Sequence, residues 1–111
     1  MGYYDEIEEI DIDEKLEEMA CFRNAALIDV RTPEEYKEGH VPGAVNIEEE
    51  AFRRTNRPWV ESVLTDKDAH IYLYCYSGSR SCIAAGFLRQ MGYFRAENAG
   101  GFKDYTGPVE T

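Results

Sequence analysis

The segment from position 69 to position 93 constrains the fold most strongly, because it joins a strand, a loop and a helix without a break. The run AHIYLYC (69–75) is apolar and aromatic, which predicts a buried strand. A short polar loop, YSGSR (76–80), follows it. The segment SCIAAGFLRQMGY (81–93) then has helical spacing and ends at Gly92, with one apolar face formed by Ile83, Ala84, Phe87, Leu88 and Met91.

The rest of the chain continues this alternation of strands and helices. Ile7 and Ile10 fit a short edge strand. Further patterns predict a helix from Asp11, a strand at 25–30, a helix capped by Thr32, a strand at 44–47, one or two short helices around Trp59 to Leu64, a strand near 93–97 and a brief final helix. Strands that alternate with helices indicate an α/β fold with a mostly parallel sheet. With 111 residues and neither internal repeats nor a low-complexity linker, we expect one domain over residues 1–111.

Charge and composition narrow the classes of partner. The net charge of −10 disfavours nucleic acid and anionic lipid, which carry the same sign. The acidic residues concentrate at 5–18 and 48–50, where we expect solvated helix faces; a docking face for a basic partner protein is the alternative. We expect no membrane partner, because no apolar run approaches the roughly 18–20 residues that a membrane helix needs.

The cysteine count points to a reducing compartment. The three cysteines, at positions 21, 75 and 82, form neither an even disulfide set nor a C-x-x-C pair for zinc. The amino end has no basic start followed by an apolar stretch, as a signal peptide would. We therefore expect a cytoplasmic protein, with no metal site.

Cys75 is the candidate catalytic residue. It stands at the carboxyl end of the strongest predicted strand, where open α/β sheets bind their ligands. The Gly and Ser residues after it permit a curled backbone whose N–H groups point inward, and the following helix adds its positive end. Arg80 adds a full charge. These surroundings favour a thiolate with a lowered pKa; the alternative is a buried cysteine that only fills space.

Three segments together resemble one family. LIDVRTPEEYKEGHVPGAVNI, CYSGSRS and AENAGGFKDYTG stand in the order and spacing of a single-domain rhodanese, a sulfurtransferase, over residues 25–107. The resemblance implies a five-stranded, mostly parallel sheet with helices on both faces. It also implies that Cys75 cycles between thiolate and persulfide without a metal or organic cofactor. The residues expected to bind the substrate are Tyr76, Ser77, Gly78, Ser79 and Arg80.

The implied partners are a small sulfur donor (thiosulfate, a polysulfide or a low-molecular persulfide) and a thiophilic acceptor, either a small molecule or an acceptor protein. A persulfide carrier, or a sensing or docking module for one partner protein, is the alternative from another class. The acidic charge fits that alternative slightly better than rapid use of anionic thiosulfate. A phosphatase or arsenate reductase is disfavoured, because those relatives resemble this fold but carry one more residue between cysteine and arginine.

The remaining positions carry weaker predictions. We expect Asp29 and Arg31 to hold neighbouring loops by ion pairs, and His40 to help turn the chain. Gly100 and Gly101 resemble the paired glycines that let a family loop approach the site, and Tyr105 stands where a tryptophan is common.

The two further cysteines are expected to be structural. We expect Cys82, in the first turn of the helix, to be a packed small side chain that forms no disulfide with Cys75; a resolving thiol is the alternative. Cys21 is likewise expected to pack.

Overall fold

The structure, a computed structural model, describes residues 10–53 and 57–111. Within these ranges the chain alternates helices and strands, as the sequence predicts. The elements are α1 (Ile12–Met19), β1 (Ala25–Asp29), α2 (Pro33–Glu38), β2 (Val45–Asn46), α3 (Glu50–Arg53), α4 (Arg57–Val63), β3 (His70–Cys75), α5 (Ser79–Gln90), β4 (Ala96–Gly101) and a 3-10 helix (Phe102–Asp104). None of the helices in the described residues is long and apolar enough to cross a membrane.

The sheet is parallel, with strand order β2-β1-β3-β4. The expected five strands are therefore wrong for the part of the chain that the structure describes, which contributes four to the sheet. Ile10 is not in a strand, and Ile7 lies outside the described residues. The strand expected near 93–97 begins at Ala96 and extends to Gly101, because it pairs with β3 along its length.

Alternation along β3 divides the core into two layers. Ile71, Leu73 and Cys75 lie in one apolar cluster, which α3, α4 and α5 complete. Tyr72 and Tyr74 lie in the other, which contains Ile12 of α1. Helices thus cover both faces of the sheet, and the Cys75 side chain lies on the face that α5 covers. All six of these side chains are buried, and the burial of β3 on both faces is what its continuous apolar run predicts.

Helix α5 begins at Ser79, two positions before its predicted start at Ser81. Its N-cap, Gly78, has a φ of 98°, a left-handed conformation that glycine adopts without strain. The prediction that Ile83 shares the packed face is wrong, because it is 43% exposed. Ala84 and Leu88 are buried as predicted, Ser81 and Ala85 are buried with them, and Phe87 and Met91 are partly buried. The early start places Arg80 in the first turn of the helix.

A β-bulge in β4 sets the register beside the site. Leu73 pairs with Asn98, whereas the next residue, Tyr74, pairs with Gly100, so one residue of β4 has no partner on β3. The shift places Gly101 opposite Cys75. The end of β4 therefore lies beside the loop that follows the cysteine.

Candidate active site

The Cys75 sulfur lies inside a ring of hydrogen-bond donors. Its side chain is buried, and Sγ accepts a hydrogen bond from the Gly78 N–H at 3.0 Å. The Ser81 hydroxyl lies 3.5 Å from the same sulfur. Burial alone would raise the pKa of the Cys75 thiol, but the Ser81 hydroxyl and the backbone of Ser81, Gly78 and Ser77 outweigh it, and the pKa is lowered. A lowered pKa raises the thiolate fraction at neutral pH, which is what a nucleophilic cysteine requires.

The loop after Cys75 is held in its curl by the end of β4. A Cβ atom on Gly101 would lie 2.6 Å from the Tyr76 carbonyl oxygen, so only glycine permits this approach. The Tyr76 carbonyl also accepts a hydrogen bond from the Lys103 N–H at 3.1 Å. The expected role of Gly101 in the approach of the two segments is therefore confirmed by the geometry.

The side chains of the loop face outward. Tyr76 is 52% exposed, and Ser77 and Ser79 are also exposed, with their hydroxyl oxygens 3.3 Å apart. The backbone of the loop therefore faces the sulfur, while these three side chains are available to whatever approaches from outside. Their predicted contact with substrate stays a prediction.

Arg80 is paired with a carboxylate that the sequence analysis did not single out. Its guanidinium donates to both carboxylate oxygens of Glu35, with Nη1–Oε1 at 2.9 Å and Nη2–Oε2 at 3.3 Å. Glu35 is the first cause of the raised pKa of Arg80, and the Cys75 sulfur contributes more weakly. Arg80 thus interacts with both the Cys75 sulfur and the Glu35 carboxylate, rather than with the sulfur alone.

Two further polar residues complete the site, and sequence reasoning missed both. The buried Ser81 hydroxyl donates to Asn98 Oδ1 at 2.7 Å as well as approaching the sulfur. Asn98 Nδ2 donates to the Gly78 carbonyl at 3.0 Å, and Asn98 Oδ1 accepts from the Gly100 N–H at 3.0 Å. Asn98 therefore ties the cysteine loop to the bulge of β4. The only signal in the sequence was the hydroxyl directly after Arg80; nothing local pointed to Asn98.

The Asp29–Arg31 pair is structural, as expected. The Asp29 carboxylate is fully buried and receives the guanidinium of Arg31, with Nη2–Oδ2 at 2.7 Å. Arg31 also donates to the Gly39 carbonyl, and the Tyr74 hydroxyl donates to Asp29 at 2.9 Å. These contacts satisfy both buried charges and fix the segment after β1.

His40 stabilises the turn that follows α2. Its ring stacks on Tyr36 with centroids 3.7 Å apart, and its backbone exchanges hydrogen bonds with Glu110. At the C-terminal side of β4, the Tyr105 ring stacks against Phe102 with centroids 5.7 Å apart. Both residues therefore have contacts that account for them without a catalytic role.

The two remaining cysteines are not packed. Cys82 and Cys21 are both exposed and unpaired, so the expectation that each fills space in the core is wrong. Cys82 lines a cavity of about 720 Å³ together with Ser77, Ile83 and Lys103. Cys82 and its neighbour Ile83 are exposed, whereas Ser81 and Ala84 on either side of them are buried. In residues 10–53 and 57–111, no group of three or more His, Cys, Asp or Glu side chains could hold a metal ion.

A parallel α/β sheet with a buried, acidified cysteine in a ring of backbone amides defines a class of proteins that react through a thiolate. Comparison with known proteins specifies the family. The family model for the rhodanese-like domain matches residues 12–107, and the chain belongs to this family.

Two relatives and one solved structure illustrate the similarity. The thiosulfate sulfurtransferase PspE of Escherichia coli (strain K12) is 40% identical over 81 residues, which cover 73% of this chain and 74% of PspE. The putative sulfur carrier protein YrkF of Bacillus subtilis (strain 168) is 37% identical over 86 residues, 76% of this chain and 43% of YrkF. A solved structure described as a rhodanese with anions from E. coli superposes with a TM-score of 0.68 at 37% identity, covering 78% of this chain and 96% of its own. These similarities support sulfur transfer at the level of the family.

Proposed function

We propose that the protein is a sulfurtransferase that moves a sulfane sulfur from a small donor to a thiophilic acceptor through a persulfide on Cys75. The observation that carries the proposal is the ring of donors around Sγ, with the Gly78 N–H at 3.0 Å and a lowered thiol pKa. Donors arranged in this way stabilise negative charge on sulfur, whether it is a thiolate or the terminal sulfur of a persulfide.

The proposed reaction has two displacements. The Cys75 thiolate attacks the outer sulfur of thiosulfate, the sulfur–sulfur bond of the donor breaks, and sulfite leaves with the bonding electron pair. The enzyme then holds a persulfide anion. An acceptor such as cyanide attacks the terminal sulfur, thiocyanate leaves, and the thiolate is restored. No net oxidation and no cofactor are required, because the sulfane sulfur passes from one nucleophile to another.

The decisive test is the mass of the intact protein after incubation with thiosulfate and, in a separate sample, with glutathione persulfide. We expect the gain of one sulfur atom on the peptide that contains Cys75. Cys75→Ser should lose both this mass gain and the transfer to cyanide, because a serine hydroxyl stays protonated at neutral pH. The matched control is Cys82→Ser, which removes an exposed thiol and should keep both. Transfer that persists in Cys75→Ser would refute the mechanism.

A second candidate function is a persulfide carrier that delivers sulfur to one partner protein. The net charge of −10 favours it, since an acidic surface repels anionic thiosulfate, and YrkF is named as a putative sulfur carrier. Steady-state turnover separates the two functions: an enzyme sustains many cycles with small donor and acceptor, whereas a carrier loads once and releases sulfur slowly without its partner. We propose a cytoplasmic setting for either function, because exposed free thiols persist where the medium is reducing.

A phosphatase activity is not proposed. The loop from Cys75 to Arg80 has only four residues between its ends, and the Arg80 guanidinium is already paired with Glu35. Incubation with an aryl phosphate at high protein concentration is therefore expected to give no turnover that depends on Cys75.

A further inference from the structure

The Arg80–Glu35 ion pair bears on which donors the site accepts. Both guanidinium nitrogens of the pair reach separate carboxylate oxygens, at 2.9 and 3.3 Å, and each side chain is about one-third exposed (35% and 33%). A bidentate pair of this kind has a defined geometry, and it occupies two of the N–H donors with which the guanidinium could bind an anionic ligand. The positive charge of Arg80, which interacts with the Cys75 sulfur, is thus already partly neutralised.

Glu35 is held in place independently of Arg80. The Thr32 N–H and hydroxyl donate to Glu35 Oε1 at 2.9 and 3.2 Å, in a capping box at the start of α2. The pKa of Glu35 is lowered to about 2, first by the hydrogen bond from Arg80 and then by those from Thr32. The carboxylate therefore keeps its charge at all physiological pH values, and it does not depend on a mobile side chain for its position.

The other arginine at this edge of the sheet is not available to a ligand. Arg31 is buried, and its guanidinium is occupied by the Asp29 carboxylate and the Gly39 carbonyl. An anionic donor that approaches Cys75 and seeks the Arg80 charge must consequently displace the carboxylate of Glu35 or share the guanidinium with it.

We propose that Glu35 determines the charge preference of the site, by competing with anionic donors for Arg80. The proposal rests on the proposed sulfur transfer for its biological meaning. It makes Glu35 a positioning residue that acts through Arg80, and it assigns the site to donors with less negative charge than the dianion thiosulfate, such as an alkyl persulfide, whose anion carries a single charge. Removing the carboxylate frees the guanidinium and should raise reactivity toward anions selectively.

The test compares two alkylating agents of similar size, the anion iodoacetate and the neutral iodoacetamide. The quantity measured is the ratio of their second-order rate constants at Cys75. A change in the thiol pKa alters both rates equally, so it cancels in this ratio. The experiment uses a background with Cys21→Ser and Cys82→Ser, because both of these thiols are exposed.

The variant is Glu35→Gln, in which glutamine retains the capping geometry at this position while the charge is lost. The matched control is Glu34→Gln, an exposed neighbour on the same helix with the same change of net charge. We expect the iodoacetate-to-iodoacetamide ratio to rise about fivefold in Glu35→Gln and by less than twofold in Glu34→Gln, since long-range charge effects at exposed positions are screened. In an Arg80→Gln background, Glu35→Gln should no longer raise the ratio.

Sulfur transfer gives the second readout. Glu35→Gln should lower the KM for thiosulfate by a similar factor with little change in kcat, and should lower the KM for a singly charged alkyl persulfide by a smaller factor. Equal alkylation ratios in the parent, Glu34→Gln and Glu35→Gln would overturn the proposal, as would equal rises in the two variants. If the ratio rises only in Glu35→Gln but no persulfide forms on Cys75, the competition for Arg80 stands and the proposed sulfur transfer fails.

Discussion

The acidity of Cys75 should depend on the Ser81 hydroxyl, and Ser81→Ala measures that dependence. A hydrogen bond to a charged group contributes about 1.5–3 kcal/mol. The Oγ–Sγ distance of 3.5 Å is long, and the same hydroxyl also lies 2.7 Å from Asn98 Oδ1. The contribution should therefore fall at the low end, about 1.5 kcal/mol, which corresponds to a roughly tenfold change in the ratio of thiolate to thiol. We expect the pKa of Cys75 to rise in Ser81→Ala, and its alkylation rate at a pH below that pKa to fall about tenfold.

The assay is the rate of alkylation of Cys75 by iodoacetamide as a function of pH, again with the other two thiols replaced. Alanine favours the helix, so α5 should remain intact in Ser81→Ala, and the Gly78 and Ser81 amides stay in place. Ser79→Ala is the matched control: it removes a hydroxyl from the same helical turn that contacts Ser77 rather than the sulfur. Identical midpoints in the parent and Ser81→Ala, or equal shifts in the two variants, would refute the assigned role of the Ser81 hydroxyl.

Two further predictions concern the neighbours of the site. Gly101→Ala should lower sulfur transfer at least tenfold, because its Cβ would meet the Tyr76 carbonyl at 2.6 Å and displace the loop; Gly86→Ala, whose nearest neighbour atom lies 4.0 Å away, should retain activity in the same assay. The ion pair of Glu35 with Arg80 should stabilise the fold above pH 4.5, the ordinary pKa of a glutamate. This stabilisation should be lost as the pH falls toward about 2, the pKa of Glu35 in the folded protein. Between pH 5 and pH 2, the free energy of unfolding measured with urea should fall by roughly 1–2 kcal/mol more in the parent than in Glu35→Gln, after allowance for solvent screening. An equal fall in the two proteins would contradict this.

Local signals in the sequence were sufficient for much of the fold. The apolar run that ends at Cys75, the Gly and Ser residues after it and the cap at Thr32 each act over a few positions, and the structure has the strand, the loop and the capping box that they predict. The start of α5 was misplaced, since the helix begins at Ser79 rather than Ser81, and Ile83 and Cys82 are exposed although both were expected to pack.

The contacts that complete the candidate site were not predictable from local pattern. Glu35 and Arg80 are 45 positions apart, and Ser81 and Asn98 are 17 apart. Glu35 and Arg80 meet because β1 and β3 are paired in parallel and end side by side, and Ser81 and Asn98 meet because β4 is paired with β3. The number of strands was an expectation from family resemblance, and no residue pattern in the described segments required a fifth.

In the loop after Cys75 the backbone faces the sulfur and the side chains face outward. The strength of the nucleophile and the choice of docking partner therefore depend on different groups. The amides of Ser77 and Gly78 are part of every residue type except proline, so their effect on the sulfur does not depend on which side chains the loop carries. Tyr76, Ser77 and Ser79 are therefore open to exchange without loss of nucleophile strength. Substitution at these three positions can alter what docks against the loop, while the main-chain amides that stabilise the Cys75 thiolate stay the same.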